Sequence, residues 1–542
     1  MRASTMVLRP SVHAAGANAM TATATATATP ALPPFDGLGQ LLPRLRARHG
    51  DKIALITDER AMTFVELDRE SDRVARSLAA RGIAPGDRVA ILSQNRWEWI
   101  VAYHGALKLG AVVNPLNVMV TAEEAVFILT DAGASALVAS GERLDAVGAA
   151  VVGLPDLRLV VAFDRTTAPS VPFAELLDVA DDLSFQPFPV DPDALACIAY
   201  TSGTTGHPKG AMQSHRSLVL NCAYTATMHG RTTNDVVVTA LPAPHVYGNV
   251  AINGTFLAGG TVVLLERFDP ARTLEAIARH GATLFEGVPA MYAMLLAHPA
   301  LPTADLSSLT RCTVGGQTIA VSVIEAWEAR AGAPLIELWG MTELSGLGTT
   351  HALHAPSVHG SIGVALPGVQ VRIVAPADGR QCAAGEPGEL WVRGPIVTMG
   401  YYGNEKATAE AIDAEGWLRT GDVAVADPSG HLFVVDRLKD MIVTAGYNVY
   451  PAEIERVLIG HDSVAMVAVG REPDEVKGEV AHAYVVLAAG HEGDTEALLV
   501  YARERLAAYK VPRRVHYVQS LPTTSSGKLM RRRLRAPSGV TA

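Results

Sequence analysis

From about Ala54 onward, short apolar runs typical of strands alternate with stretches of helical spacing. The run "DRVAILSQN" predicts a strand, and "WEWIVAYHGALKLG" after it predicts a helix that ends at Gly110. The stretch "TAEEAVFILTDAG" predicts a helix capped by Thr121, with Glu124 three residues on completing a capping box. Regular exchange of the two patterns predicts an α/β fold with largely parallel sheets.

The pattern changes along the second half of the chain. The Pro- and Asp-rich residues 185–193 interrupt the alternation and predict a connection between two subdomains. Beyond about Gly368 the chain is β-rich, with strands predicted in "VQVRIV", "GELWVRG" and "HLFVVD". From about Lys439 short strands and helices mix again, which predicts a small C-terminal α+β domain.

Composition argues against several classes of function. The 542 residues carry a formal net charge of −10, so no nucleic acid is expected as the main partner. No apolar run reaches the ~18 residues of a membrane span, so no transmembrane segment is predicted. The cysteines lie far apart without a CxxC pair, so neither a disulfide framework nor a zinc site is expected, and a reducing cytoplasm fits best. They are Cys197, Cys222, Cys312 and Cys382.

The N-terminal 35 residues contain no acidic residue and include the repeat "TATATATATP". Residues 1–30 are therefore predicted to be a disordered low-complexity extension. A transit peptide, which is also poor in acidic residues, and a start codon placed too far upstream are the alternatives.

The stretch "YTSGTTGHPKG" (residues 200–210) combines hydroxyls, glycines and a lysine between two predicted strands. Successive backbone amides that turn inward form a nest for anions, so the loop is predicted to bind phosphate oxygens. It is not a Walker A loop, because a glycine and a strand follow the lysine instead of Ser/Thr and a helix. A solvated linker is the alternative. The predicted ligands are Thr201, Ser202, Gly203, Thr204, Thr205, Gly206 and Lys209.

With five further stretches, this loop resembles the motifs of the adenylate-forming superfamily, which comprises acyl-CoA synthetases, luciferases and the adenylation domains of peptide synthetases. In the same order as in that superfamily, the stretches are "LPAPHVYGN", "ELWGMTELSG", "GWLRTGDVA", "VDRLKDMIVTAGYNVYPAEIE" and "LPTTSSGKLMRRRLR". The resemblance covers about residues 32–535. It implies a large N-terminal domain of stacked α/β subdomains with a β-rich piece (31–436), a hinge (437–439, with Lys439 as hinge residue) and a small mobile C-terminal α+β domain (440–542).

The resemblance implies a ligase that works in two steps. A carboxylic acid and ATP give an acyl-AMP and pyrophosphate with the help of Mg²⁺, and the thiol of coenzyme A then displaces AMP. Fixed cations should stabilise the charge that builds on the phosphate oxygens. The implied catalytic residues are Lys528, Thr342, Lys209 and His245, with Glu343 as ligand of Mg²⁺ and His245 as a substrate-positioning group.

The nucleotide contacts are also implied by the resemblance. Trp339, where the family more often has tyrosine, is expected to stack on adenine, and Asp422 is expected to bind the ribose hydroxyls. Arg437 supplies a second ribose or phosphate contact. The remaining implied contacts are Gly315, Gly316, Gln317, Gly340, Met341 and Thr342 for ATP or AMP, and Gly446 and Tyr447 for the coenzyme A tunnel.

The implied acyl pocket is apolar and rich in glycine, without a clear arginine for a second carboxylate, so a hydrophobic monocarboxylic acid is expected. Its residues are His245, Val246, Tyr247, Gly248, Gly346 and Gly348. The last two glycines should leave room for a long or bulky group, so a medium- to long-chain fatty acid is the first choice and an aryl or cinnamate-type acid the second. The stretch "VTAG", where coumarate ligases and luciferases usually carry "KYKG", favours a bacterial fatty acyl-CoA ligase.

Two other functions are weighed. A fatty acyl-AMP ligase could deliver to a carrier protein, but the chain has no carrier domain of its own. A silent sensor of nucleotide or acyl-CoA is disfavoured because Lys209, Glu343, Asp422, Arg437 and Lys528 are all present. The resemblance leaves a homodimer open.

Overall fold

The computed structural model describes residues 37–542 except 152, 183–184, 202–207, 446, 475, 489, 523–528, 530 and 535–542. The predicted N-terminal extension, the loop residues 202–206, Gly446 and Lys528 lie outside the described residues. The fold below is that of the compact unit Phe35–Ala542.

The first part of the chain alternates strands and helices as its sequence pattern predicts. Its elements are α1 (Leu41–His49), β1 (Ile53–Ile56), β2 (Ala61–Thr63), α2 (Phe64–Ala80), β3 (Arg88–Leu92), α3 (Trp97–Lys108), β4 (Val112–Pro115), α4 (Ala122–Ala132), β5 (Ala134–Ala139), α5 (Gly141–Val151), β6 (Leu159–Ala162), β7 (Val171–Pro172), α6 (Phe173–Leu177), β8 (Leu195–Thr201) and β9 (Lys209–Ser214).

Local capping explains where these helices begin. Thr121 caps α4 and forms the predicted capping box with Glu124, and Thr63 and Glu66 do the same for α2. One sheet has the order β7-β6-β5-β3-β4-β8-β9. Its strands are parallel except for β9, which returns antiparallel to β8. The predicted parallel α/β architecture is therefore confirmed.

The middle of the chain builds a second, mainly parallel sheet. Its elements are α7 (His215–Met228), β10 (Val236–Thr239), α8 (Val246–Leu257), β11 (Thr261–Leu264), α9 (Pro270–His280), β12 (Leu284–Gly287), α10 (Pro289–Leu296), β13 (Arg311–Val314), α11 (Val321–Ala331), β14 (Leu335–Met341), β15 (Gly346–Thr350) and β16 (Val364–Ala365). The strand order is β16-β15-β14-β13-β12-β10-β11-β1-β2, and neighbours run parallel from β14 to β1.

The last part of the chain forms two smaller sheets within the described residues. Its elements are β17 (Gln370–Val374), β18 (Gly388–Arg393), α12 (Glu405–Ala411), β19 (Leu418–Ala426), β20 (Leu432–Arg437), β21 (Ile442–Thr444), β22 (Tyr447–Val449), α13 (Pro451–Leu458), β23 (Val464–Asp474), β24 (Gly478–Leu487), α14 (Thr495–Arg503) and β25 (Arg514–Tyr517). Strands β17 to β20 form an antiparallel meander, and β22-β21-β24-β23 form the sheet of the small α+β region.

A common apolar core joins the two large sheets. Buried side chains of α3, α7 and α8, among them Tyr103, Leu218 and Phe256, pack with strands of both sheets. The carboxyl ends of β8, β13 and β14 lead into the predicted phosphate, adenine and magnesium segments. In open α/β sheets ligands bind outside the carboxyl ends of the strands, and each of these segments follows such a strand end. Among the helices described, none is long and apolar enough to cross a membrane.

Candidate active site

Strands β8 and β9 form the antiparallel hairpin that carries the predicted phosphate loop. Thr201 pairs with Lys209 at the open end of the described ladder, and the Thr201 hydroxyl donates to the Lys209 carbonyl at 3.4 Å. Ser214 caps α7 directly after β9 by accepting a hydrogen bond from the Ser217 amide. The hairpin therefore fixes Lys209 at the carboxyl end of β8.

Residues 398–402 lie beside β9. The Met212 amide donates to the Gly400 carbonyl at 2.9 Å, and the Tyr402 amide donates to the Gly210 carbonyl at 2.8 Å. This pairing sets the ring of Tyr401 next to Lys209, whose Nζ lies 5.2 Å from the ring centroid. A cation at this distance is attracted by the electron-rich face of the ring.

Hydrogen bonds from neighbouring elements fix the turn Thr342–Leu344, which follows β14. Gln213 Nε2 of β9 donates to the Thr342 carbonyl at 2.8 Å. The next residue, Ser345, has a φ of 58°, a left-handed conformation that is strained for a side chain with a Cβ. Its hydroxyl donates to Ser217 Oγ at 2.8 Å, which holds it in place. The predicted α-phosphate contact therefore lies on a preorganised backbone.

Glu343 lies in this turn and is buried. The Tyr401 hydroxyl donates to Glu343 Oε1 at 2.8 Å, and the Thr398 amide donates to the Glu343 carbonyl at 2.7 Å. Burial, and after it the nearby Glu343 carboxylate, raises the pKa of Tyr401 well above its ordinary value, so its hydroxyl stays a hydrogen-bond donor.

The surroundings of Glu343 fit the predicted role in binding magnesium. Mg²⁺ in nucleotide sites is held by one or two carboxylates together with phosphate oxygens and water. In the described part of the chain, no group of three or more His, Cys, Asp or Glu side chains could hold a metal ion. A single carboxylate beside the predicted phosphate hairpin fits a metal that is bound mainly through its nucleotide.

Trp339, Asp422 and Arg437 meet across three strands. The Trp339 indole N–H donates to Asp422 Oδ2 at 2.8 Å, although the two residues are 83 positions apart. Arg437 Nε lies 2.5 Å from Asp422 Oδ1, and the two residues are register partners in β19 and β20. The sequence predicts each of the three as a nucleotide ligand, and the structure brings them together as one cluster.

The segment Gly315–Gln317 follows β13 at the predicted adenine edge. Gly316 has a φ of 87°, which a side chain rarely tolerates, and a Cβ on Gly315 would collide with the Leu338 side chain. On the neighbouring strand, a Cβ on Gly340 would collide with the Gly346 carbonyl. These glycines allow β13, β14 and β15 to approach each other closely behind the predicted nucleotide.

His245 begins helix α8 and lies exposed at its N-terminus. Its Nδ1 accepts a hydrogen bond from the Tyr247 amide at 3.3 Å, so the imidazole caps the helix. Val246 and Tyr247 beside it are buried. Gly248 is required by packing, since a Cβ there would collide with the Pro242 carbonyl. A substrate-positioning role for His245 stays a prediction.

A buried chain of hydrogen bonds runs from Tyr247 to an ion pair. The Tyr247 hydroxyl lies 2.7 Å from Thr313 Oγ1, and the Thr313 hydroxyl donates to Glu286 Oε1 at 3.0 Å. Arg231 Nη2 donates to the same Glu286 oxygen at 2.7 Å, and both charged side chains are fully buried. The sequence did not reveal this chain, because its members come from α8, β12, β13 and the loop after α7.

Gly346 and Gly348 need a correction. The sequence suggests that these glycines leave room for a long or bulky acyl group. A Cβ on Gly346 would instead collide with Asn221 Oδ1 and lie 2.6 Å from Val250 Cγ2, and a Cβ on Gly348 would lie 2.6 Å from Trp339 Cζ3. The space beside both glycines is filled by the protein itself, so they serve close packing of β15.

The remaining predicted residues lie in the C-terminal part of the chain. Lys439 is in the short turn Leu438–Asp440, and Tyr447 begins β22. The ring of Tyr447 is exposed and stacks on Tyr509, with 4.7 Å between the ring centroids. Their predicted roles as hinge and tunnel residues stay predictions, as do the domain boundaries.

Sequence reasoning missed Tyr401 and the hydrogen-bonding role of Trp339. Tyr401 lies 58 positions from Glu343, and its place depends on the pairing of residues 398–402 with β9. No local periodicity signals such a contact. The sequence motif indicates Trp339 only as a flat ring, although an indole also carries an N–H that needs an acceptor when buried.

Comparison with known proteins gives consistent matches over most of the chain. The sequence model of the AMP-binding enzyme family matches residues 43–402, and that of the AMP-binding enzyme C-terminal domain matches residues 453–528. The chain is 39% identical over 484 residues to a feruloyl-CoA synthase of Amycolatopsis sp, with 88% of the chain and 94% of the relative covered.

It is also 33% identical over 536 residues to a long-chain-fatty-acid–CoA ligase of Bacillus subtilis (strain 168), with 92% of the chain and 94% of the relative covered. Among solved structures, ATP-bound MatB from Rhodopseudomonas palustris matches with a TM-score of 0.84 and 32% identity. That match covers 91% of the chain and 97% of MatB.

Proposed function

The chain belongs to the AMP-binding enzyme family, and the relatives described above include AMP-forming acid–CoA ligases. We propose that it activates an aromatic carboxylic acid that carries a hydrogen-bond donor at the far end of its ring. The enzyme uses ATP and Mg²⁺ and joins a carboxylic acid to coenzyme A. The cytoplasmic location and a homodimer stay predictions.

The observation that carries this proposal is the direction of the hydrogen bonds below Tyr247. Glu286 is paired with Arg231 and accepts a hydrogen bond from the Thr313 hydroxyl. Since that bond uses the only hydrogen of the hydroxyl, the Thr313 oxygen must accept a hydrogen bond from Tyr247. The Tyr247 hydroxyl then uses its only hydrogen in the bond to Thr313, and its lone pairs remain as acceptors. A group that binds there must donate, as a phenolic hydroxyl does.

Tyr247 also keeps its proton over the working range of pH. Burial raises its pKa well above the ordinary value for tyrosine. A long alkyl chain offers no donor to the remaining lone pairs of the Tyr247 oxygen, whereas a phenolic hydroxyl does. The corrected packing of Gly346 and Gly348 removes the argument for a long tunnel at that wall. The likeness to a feruloyl-CoA synthase points the same way.

The chemical steps are assigned to this chain's own residues. Lys209 and the loop before it hold the outer phosphates, the turn at Thr342 contacts the α-phosphate, and Asp422 with Arg437 holds the ribose. Lys528 bridges the carboxylate and the α-phosphate. Glu343 would hold Mg²⁺, which would supply positive charge to neutralise the phosphate oxygens. In the second step, the region after Lys439 swings so that Gly446 and Tyr447 admit the thiol.

A medium- to long-chain fatty acid is the second candidate. The "VTAG" stretch and the 33% identity to the Bacillus subtilis ligase favour it. The buried apolar residues Val246 and Val250 of α8 are compatible with it. Delivery of the acyl group to a carrier protein in place of coenzyme A is tested by the same experiment.

The test is pyrophosphate release from ATP and Mg²⁺ with matched acids, each with and without coenzyme A. The acids are 4-hydroxycinnamate, 4-methoxycinnamate, cinnamate, octanoate and palmitate. We expect steady turnover with coenzyme A and the highest kcat/KM for 4-hydroxycinnamate. The 4-methoxy acid, which can only accept a hydrogen bond, should rank below cinnamate. A higher kcat/KM for palmitate would replace the proposal by the fatty acid, and a burst that coenzyme A does not sustain would indicate another acceptor.

A further inference from the structure

Residues 398–402 connect two parts of the site that are distant in sequence. Their backbone pairs with β9 next to Lys209, and the Thr398 amide donates to the Glu343 carbonyl on the other side. The Thr398 hydroxyl also donates to the Met212 carbonyl of β9 at 2.7 Å. The segment is therefore fixed between the phosphate hairpin and the turn that bears Glu343.

Tyr401 is the side chain of this segment that contacts both functional groups. Its hydroxyl donates to Glu343 Oε1 at 2.8 Å, and its ring face meets Lys209 Nζ, 5.2 Å from the ring centroid. The two contacts support each other, because donation of the hydroxyl proton to a carboxylate raises the electron density of the ring that attracts the ammonium group.

We infer that Tyr401 is a positioning residue for the metal and triphosphate end of the site. Its hydroxyl holds one oxygen of Glu343 so that the carboxylate presents the other to Mg²⁺, and its ring holds Lys209 toward the same phosphates. The inference rests on the roles of Glu343 and Lys209 in the proposed function, but not on which acid the enzyme activates.

A merely structural role for Tyr401 would give a different pattern. Groups that orient a metal ligand change the affinity for the metal, whereas a residue that only anchors a segment changes the stability of the fold. Tyr401→Phe removes the hydroxyl and keeps the ring. Tyr402→Phe is the matched control, since it makes the same chemical change one residue along the chain, where the backbone amide bonds to Gly210.

The experiment measures binding of Mn²⁺ to the full-length protein with α,β-methylene-ATP, by electron paramagnetic resonance of free Mn²⁺, without acid or coenzyme A. We expect Tyr401→Phe to weaken Mn²⁺ binding about 10-fold, the size typical for loss of an outer partner of a metal ligand. Tyr402→Phe should leave it within about twofold. Equal binding by the wild type and Tyr401→Phe, or an equal loss in both variants, overturns the inference.

A second experiment tests the contact between the ring of Tyr401 and Lys209. In the presence of EDTA, affinity for the nucleotide should change by less than about twofold in Tyr401→Phe and weaken by about 3- to 10-fold in Tyr401→Leu, because only the latter removes the ring that contacts Lys209. Lys209→Ala in the Tyr401→Leu background should then add less than it does alone. Full additivity would refute the contact with Lys209. Because no acid is present, these outcomes are independent of the substrate proposed above.

Discussion

Asp422 and Glu286 are both buried carboxylates that pair with an arginine and an aromatic or hydroxyl donor, yet the two clusters differ in their exposure to solvent. Arg437, the partner of Asp422, has 44% of its side chain exposed, whereas Arg231, the partner of Glu286, is fully enclosed. An exposed arginine can exchange its carboxylate for a ligand. An enclosed one cannot, so its carboxylate serves to order the hydrogen bonds around it.

An arginine–carboxylate pair can therefore form part of a binding site or serve only the stability of the fold. The Trp339–Asp422–Arg437 cluster joins β14 to β19 and β20, and its arginine is partly exposed. The Tyr247–Thr313–Glu286–Arg231 chain joins α8, β13, β12 and the loop after α7, and its ion pair is fully buried. Loss of one partner should therefore affect ligand binding in the first cluster and stability in the second.

The largest effect is expected from the enclosed pair. Arg231→Met leaves Glu286 charged and unpaired in the core and should lower the free energy of unfolding by about 3 to 5 kcal/mol. Urea denaturation followed by tryptophan fluorescence measures this loss. The double variant Arg231→Met with Glu286→Gln should recover part of it, and a loss below about 1 kcal/mol would show that the two clusters do not differ.

Asp422→Asn tests the partly exposed cluster. The variant loses a charged acceptor for the ribose hydroxyls, and we expect the KM for ATP to rise about 10- to 100-fold. The free energy of unfolding should change little, because 44% of the Arg437 side chain is exposed and water can replace the lost partner. The KM for the acid serves as the control. A large loss of stability with unchanged KM for ATP would make Asp422 structural.

Trp339→Phe keeps a flat ring but removes the N–H that holds Asp422 Oδ2. We expect the KM for ATP to rise about 3- to 10-fold, the size of one ordinary hydrogen bond, because the N–H orients Asp422 and does not contact the ribose itself. Discrimination between ATP and 2′-deoxy-ATP should fall as well, since Asp422 is less well oriented. Retained discrimination would limit Trp339 to stacking on adenine.

Tyr247→Phe should affect substrate choice with little change in turnover of cinnamate. Removal of the acceptor oxygen should reduce the preference for 4-hydroxycinnamate over cinnamate by about 2- to 10-fold. The ratio of the two kcat/KM values measures this, and Tyr224→Phe is a control, as a buried tyrosine outside the chain. An unchanged ratio would contradict the proposed contact with the ring substituent.

The last effect is a pH dependence of stability that arises from a buried acid. Glu337 of β14 accepts a hydrogen bond from the Gly360 amide, and burial raises its pKa to about 7 from an ordinary value of 4.5. Between these values the folded protein binds more protons than the unfolded chain, so stability falls as the pH rises through this window. Glu337→Gln should remove that slope, as unfolding at about pH 5 and pH 8 can measure. An unchanged slope would assign it to another group.

Much of this molecule follows from its sequence because the signals are local. The capping box at Thr121 and the apolar strands predict the parallel sheets, and contiguous motifs predict Lys209, Thr342 and Glu343. The contacts of Tyr401 and Trp339 depend on strand pairing between distant segments, and the collisions at Gly346 and Gly348 depend on packing between sheet and helix. These features cannot be derived from a pattern along one stretch of chain.

The packing of Gly348 also matters for redesign of the enzyme. Any side chain placed there pushes on the ring of Trp339, and Trp339 in turn holds Asp422. A substitution chosen to reshape the acyl pocket at this point would also alter recognition of the nucleotide. An engineer who wants a new acid without losing ATP should therefore vary Tyr247 and Thr313, whose contacts lead away from the nucleotide cluster.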